Sequence, residues 1–322
     1  MKKTSICCAL LLALGLGAQA KIWRVNNMPG VAADANTAQA AHDLASNGDT
    51  IHLEPSPTDY GSVTCTKRLV WLGTGYFLTE NPGLQASYIN GVISSMSFNA
   101  GSENSVVSVI SNSYAYVYTN NITIARSWFY GISVSGTYND VVITQNVIYY
   151  SINLSSATDA IVTNNLVGGA VSNGSSGTAV VSNNVMGIYN NYGGTLYNSV
   201  FQNNILRGNA YTFSNTVASY NTTSSGSGLP AGNNNVFSAD LTAVFENDWY
   251  FYQHRVDRDY RLKAGSPAIG TGNGGADRGA FGGSTPFVLG LQPAIPAITA
   301  LSAPAANYTS SIQVTFSAKS NQ

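Results

Sequence analysis

The chain has 322 residues, carries 14 Lys+Arg against 15 Asp+Glu, and is only 9% charged, where globular proteins usually reach about 25%. So even a balance, with no basic run, excludes a nucleic-acid or anionic-membrane footprint. Of three cysteines, Cys7 and Cys8 fall in an apolar N-terminal run, which leaves Cys65 alone and rules out an intramolecular disulfide in the body of the chain.

Residues 1–20 read as a secretory signal: Lys2 and Lys3 begin it, Ile6 to Leu16 is its apolar stretch, and Ala18-Gln19-Ala20 is a small-x-small cleavage site. The stretch is too short to span a bilayer. Cleavage after Ala20 leaves Lys21 first, with 12 basic and 15 acidic residues and a net charge of −3. The expectation is a secreted or cell-surface protein with no membrane span.

Residues 37–46 have helical spacing, with Ala40, Ala41, Leu44 and Ala45 on one face, and Gly48-Asp49 ends the helix. A strand follows at 50–54, then a turn-rich stretch at 55–61, then strands at 63–67 and 68–73. Residues 76–104 are less regular; Asn81-Pro82-Gly83 marks a loop at 76–86.

A repeat then takes over. Ile124 to Phe129, Ile143 to Ile148, Val162 to Val167, Val181 to Met186 and Phe201 to Leu206 are five copies of one pattern, two apolar residues flanking a polar pair. The fourth residues, at 127, 146, 165, 184 and 204, are 19, 19, 19 and 20 apart. Units this short, rich in Val, Ile, Thr and Asn, predict strands joined by tight bends: an all-β, single-stranded parallel β-helix with about 19–20 residues per coil. Stacked coils put Asn146, Asn165, Asn184 and Asn204 above one another as a ladder of side-chain amides, and Asn tolerates the left-handed conformation that a sharp bend requires. The flanking columns, from Ile124 to Phe201 and from Phe129 to Leu206, form the dry core. Residues 222–228, rich in Gly and Ser, read as a loop inserted in the late coils.

After the repeat comes Leu262-Lys263-Ala264-Gly265-Ser266-Pro267-Ala268-Ile269, then Asp277-Arg278-Gly279-Ala280-Phe281. These two runs resemble the closing motif of secreted bacterial β-helix proteins, and the helix-then-strand entry resembles the N-terminal cap of the pectin-lyase-like superfamily. The whole is similar to β-helix proteins of the Bacteroidetes. The resemblance implies a right-handed solenoid over residues 21–284, with a short N-terminal capping helix and the final motif ending the stack. Residues 285–322 change character: Pro286, Pro293, Pro296 and Pro304 punctuate a linker, and 311–317 alternates as one strand, open to self-association.

The resemblance raises polysaccharide lyase or hydrolase chemistry, which requires clustered acids and bases. Between 105 and 237 the charged residues are Arg126, Asp140, Asp159 and Arg207. Asp140 and Asp159, 19 apart, are either a weak cation site or two solvated turn residues; two carboxylates make no strong calcium site, so no metal and no cofactor is assigned. The candidate catalytic group is His254, Arg255, Asp257 and Arg258, inside a charged stretch at 246–263 that reads equally as a mutually paired cap. The candidate ligand-binding group is Tyr130, Tyr149, Tyr150, Tyr189 and Arg207, joined by Tyr114, Tyr116 and Tyr118 on one strand face. Such rings either stack on sugar faces or pack the solenoid wall. The column from Ala125 to Gln202 is too irregular for an ice-binding rank of Thr. The expected function is a non-catalytic glycan-binding or adhesion platform, with an extracellular polysaccharide or surface protein as partner; a lyase or hydrolase and a structural surface component are the alternatives.

Overall fold

The computed structural model describes residues 20–85, 87–189, 193–208, 210–247, 257–292, 296–302 and 314–319. The expected leader, residues 1–20, therefore lies outside the described residues except for Ala20. The body is a parallel β-solenoid. Its first face is a ten-stranded sheet: Ile22–Val25, Thr50–Leu53, Val70–Leu72, Val106–Ser108, Thr123–Ala125, Val142–Thr144, Ala160–Thr163, Ala179–Ser182, Val200–Gln202 and Val217–Ser219. The second face runs from Val63–Cys65 through Val92–Phe98, Ser111–Val117, Trp128–Val134 and Val147–Ile148 to Thr222–Thr223. Short strands at Ile152–Asn153, Val171–Ser172, Thr195–Tyr197 and Thr212–Ser214 make a third side.

Register follows the repeat. Ile143 pairs with Ile124 and Val162, and Ile148 pairs with Phe129 and Val167. Both expected core columns are fully buried. The Asn ladder is present too. Each Nδ2 donates to the next Oδ1, from Asn146 to Asn165 (3.0 Å), to Asn184 (2.9 Å) and to Asn204 (3.0 Å). It continues to Asn221 and Asn235, at spacings of 17 and 14 residues that a fixed period passes over.

At the ladder corner, the residues in the left-handed region are those just before the ladder, Arg126, Gln145, Asn164, Asn183 and Asn203, with φ between 47° and 57°. This corrects the expectation that the ladder amides themselves take that conformation. The bend turns one residue early, so the ladder side chain points inward while its predecessor points out.

On the outer side of the first face, one column holds a β-branched residue in every coil: Ile22, Thr50, Val70, Val106, Thr123, Val142, Ile161, Val180, Val200 and Val217.

The entry helix, α1, is Ala38–Leu44, with the Thr37 hydroxyl accepting from Ala40 N–H at its start. Lys67 Nζ donates to the carbonyls of His42, Asp43 and Ala45 at its end, where the helix dipole favours a cation. The buried face is Ala38, Ala41, His42 and Ala45, whereas Leu44 is 52% exposed. The helix is thus rotated from the expected face: Ala38 and Ala41 let it lie close on the first coil, and His42 is turned inward to accept from Thr66 N–H (3.1 Å). The irregular reading of 76–104 also changes: Val92–Phe98 is a full strand, in register with Val63–Cys65 and Ser111–Val117. Likewise Thr222–Thr223 continues the second face before the loop begins.

The second closing run and the residues that follow it, 277–292, do not cap the end of the stack, whereas the first run stays beside the 244–245 segment through a bridge from Leu262 to Phe245. Residues 277–292 turn back along its side as a strap. Asn183 Nδ2 donates to Asp277 O (3.1 Å), Asn164 Nδ2 to Ala280 O (2.9 Å) and Gly282 O (2.7 Å), Gln145 Nε2 to Pro286 O (2.6 Å), and Arg126 Nη1 to Gln292 O (3.2 Å). The reason lies beneath them. Val147, Leu166, Val185 and Ile205 point outward from the second face yet are buried, forming a second core with Ala280, Phe287, Leu291, Phe245 and Tyr260. Without a cover these aliphatic side chains would face water.

Beyond the strap, Thr315–Lys319 pairs antiparallel with Ala297–Ser302, Phe316 facing Leu301. The tail is therefore a two-stranded ribbon rather than a lone strand; residues 311–313 lie outside the described residues. No helix among the described residues is long and apolar enough to cross a membrane.

Candidate functional site

The strap covers only part of the second face. Next to it stands a continuous group of aromatic rings. Tyr130 lies 5.1 Å from Trp128, 5.2 Å from Tyr149, 5.8 Å from Tyr150 and 6.2 Å from Tyr114, centroid to centroid. Tyr149 is 4.8 Å from Tyr150 and 4.2 Å from Tyr189. Tyr114, Tyr116 and Tyr118 follow at 6.0 and 6.5 Å with nearly parallel planes. Four of the sequence-predicted residues, Tyr130, Tyr149, Tyr150 and Tyr189, are thus brought into mutual contact.

Local sequence explains the grouping. Tyr114, Tyr116 and Tyr118 alternate along one strand and so share its outer side. Gly131 pairs with Tyr114, and a Cβ there would meet the ring at 3.0 Å, so the missing side chain lets the ring lie down on the next coil. At Gly168 a Cβ would sit 1.8 Å from the Tyr149 carbonyl oxygen and 3.0 Å from the Tyr189 Cβ. That glycine closes the gap through which Tyr189 reaches Tyr149. Tyr114, Tyr118, Tyr130 and Tyr150 remain 38–39% exposed. They expose ring area where the neighbouring aliphatic column is sealed.

Arg207 stands half-buried in the same column, one coil past Gly187, its N–H donating to Met186 O. Tyr76, stacked on Trp128 at 5.0 Å and 14°, extends the group, with Phe77 edge-on at 4.7 Å. Burial, with Glu80 and Tyr130 nearby, pushes the Tyr76 hydroxyl above its ordinary value. Neither Tyr76 nor Phe77 stood out in the sequence, since both sit in the aperiodic loop. The adjacent Asn81-Pro82-Gly83 turn was the available signal that this loop folds back.

In the charged stretch at 246–263, the described residues 246–247 and 257–261 are engaged in fastening. Asp257 is 2% exposed and accepts from Asn81 Nδ2 (2.9 Å), Gly290 N (2.5 Å) and Arg258 N (2.9 Å), tying the 76–85 loop to the strap. Burial pushes its carboxyl up to about 6, against those three donors, which favour the ionised form. Arg258 donates to Glu80 O (3.0 Å), Asn247 Nδ2 donates to Asp259, and Arg261 pairs with Glu246 (2.6 Å). His254 and Arg255 lie outside the described residues.

Asp140 and Asp159 are exposed and left-handed, φ 56° and 54°, in line with Asn121. They occupy turn positions. Among the described residues no three His, Cys, Asp or Glu side chains gather as metal ligands would.

No family model, curated protein or solved structure matches this chain.

Proposed function

We propose that this protein is a glycan-binding or adhesion platform that works outside the cell. The observation that carries the reading is the half-exposed ring group running from Tyr118 through Tyr130 and Tyr150 to Tyr189 on a rigid wall. Aromatic faces and sugar C–H faces are both apolar and flat, and tyrosine hydroxyls at the ring edges meet sugar hydroxyls. Few rotatable bonds are ordered when a preformed wall of this kind takes up a ligand. Contacts repeated coil after coil add through effective concentration, which suits a linear polymer. Export is supported by the leader-like residues 1–20, and placement in the pectin-lyase-like class by the capping helix and the Asn ladder.

The test is to incubate the purified protein with uronate and neutral polysaccharides, with and without calcium. Co-sedimentation, chain length and ultraviolet absorbance are read in the same tubes. Intact chains that carry the protein down, with Tyr130→Ala and Tyr150→Ala weakening this at least tenfold, are the expected result. Shortened chains overturn it in favour of a hydrolase, and new absorbance in favour of a lyase. A protein that neither binds nor cleaves is left with the structural role.

A further inference from the structure

The entry coil holds a buried carboxylate. Asp49, between α1 and the strand Thr50–Leu53, is 6% exposed. Its Oδ2 accepts from Trp23 Nε1 and from Ser46 N–H, both at 2.8 Å, and its Oδ1 accepts from the backbone nitrogen of Lys21, also at 2.8 Å. Burial works against its charge, but these donors hold the carboxyl below its ordinary value, so it is ionised at neutral pH. The charged side chains around it are engaged elsewhere. Lys21 Nζ lies 3.3 Å over the Trp23 ring and 3.6 Å from Asp34, and Arg24 pairs with Glu54. Arg68 reaches Gly48, its Nη2 3.4 Å from where a Cβ would stand. Among the described residues no Lys, Arg or His side chain forms an ion pair with Asp49.

The nitrogen facing Oδ1 is a particular one. Ala18-Gln19-Ala20 marks the bond between Ala20 and Lys21 for cleavage, and the nitrogen that such a cut frees is the one that meets Asp49. Lys21 is held from its other end too, its carbonyl accepting from Thr50 N–H (2.8 Å) where the first strand pair begins.

We propose, on the leader reading of residues 1–20, that Asp49 receives the processed N-terminus: the α-ammonium of Lys21, freed by cleavage after Ala20, pairs with its carboxylate and completes the entry cap. In that cut, made by a leader peptidase, water adds across the Ala20–Lys21 amide and the C–N bond breaks. The carbonyl carbon keeps the water oxygen as a carboxylate, and the nitrogen takes both water protons to become an ammonium. A neutral donor on a buried carboxylate thus becomes its cation, which offsets the cost of burying the charge. Lys21 itself is exposed, so water screens part of the gain.

The experiment compares a protein that begins at Lys21 with one that begins at Ala18, in which the Lys21 nitrogen is still an amide. Urea unfolding is followed from about pH 6 to about pH 10, the range that brackets an α-amino group. At neutral pH the folding equilibrium constant of the Lys21-first protein should be about tenfold larger, which corresponds to an amine pKa raised by about one unit in the folded chain. A raised folded value makes that advantage full below the ordinary α-amino value of about 8, and it is lost as pH rises through about 9. Asp49→Asn should erase the difference at neutral pH. Equal stabilities there, an advantage that persists undiminished at the alkaline end, or one that Asp49→Asn leaves intact would each overturn the inference. The intact mass of the exported protein separates its two parts. A first residue other than Lys21 overturns it at the leader, whereas a chain that does begin at Lys21 and gains nothing from its free amine overturns it at Asp49.

Discussion

Two columns of side chains stand one residue apart at the same corner and share nearly the same chemistry, yet they hold different things together. Asn146, Asn165, Asn184 and Asn204 point inward and bond coil to coil. Gln145, Asn164 and Asn183 point outward and bond to the strap, hundreds of ångströms of chain contour away but adjacent in space. The difference is a single left-handed residue at this corner of each coil. An amide is a generic tool, and the backbone angle before it decides whether it builds the stack or fastens a cover to it.

The largest expected effect lies in the inner column. Asn165 accepts from Asn146 N and Nδ2 and donates to Ile143 O, Thr163 O and Asn184 Oδ1. Asn165→Leu leaves buried donors and acceptors on two neighbouring coils without partners, so urea unfolding should show a loss of about 4 kcal/mol. A loss under 1 kcal/mol would collapse the distinction between the columns.

Next comes the strap's far anchor. Burial raises the Asp257 carboxyl from 3.8 to about 6 in the folded chain. A raised folded value means that the unfolded chain ionises first as pH rises. The contribution is therefore fully present below about pH 4 and is lost as pH rises through 6, on the order of 3 kcal/mol in all. Asp257→Asn should flatten that slope in urea midpoints taken between pH 4 and pH 7, whatever its stability at any one pH.

A smaller effect belongs to the outer column. Asn164→Ala loses two bonds to the strap and places alanine at φ 57°, for a cost of about 2 kcal/mol. Asn164→Gly removes the backbone penalty but not the lost bonds. Hydrogen exchange should speed up at 279–287 in both variants while the inner ladder stays protected. Faster exchange in the ladder would show that the columns are one unit.

The smallest effect marks the limit of both. Tyr150 is 39% exposed, outside either column, and meets Tyr149 edge-on, so Tyr150→Ala should cost about 1 kcal/mol of stability while weakening polysaccharide binding. A melting temperature lowered by several degrees would instead make the rings part of the wall.

Much of this was legible because a solenoid writes its geometry into its period. Both core columns, the ladder from Asn146 to Asn204 and the meeting of Tyr130 with Tyr149 all follow from a 19-residue spacing. What the period could not carry is what happens between distant segments. Gln145, Asn164 and Asn183 are visible as repeat positions, but their partners at 277–286 have no repeat of their own. Asp257 looked like a reactive group because a sequence displays charge and conceals burial. Leu44 misled for the opposite reason: helical spacing names a face, but the close approach of Ala38 and Ala41 decides which one is used.

The strap also changes how the molecule comes apart and how it is made. A stack whose coils touch only their neighbours frays from its ends, one unit at a time. Residues 277–292 reach from the coil of Asn203 to that of Arg126, so those coils open together or not at all, and the middle of the stack becomes a single cooperative block. Because the strap is synthesised after all the coils it covers, Val147, Leu166, Val185 and Ile205 must wait in water until it emerges. The last step of folding is then the sealing of a greasy flank, and it is during that interval that a nascent chain is most open to aggregation.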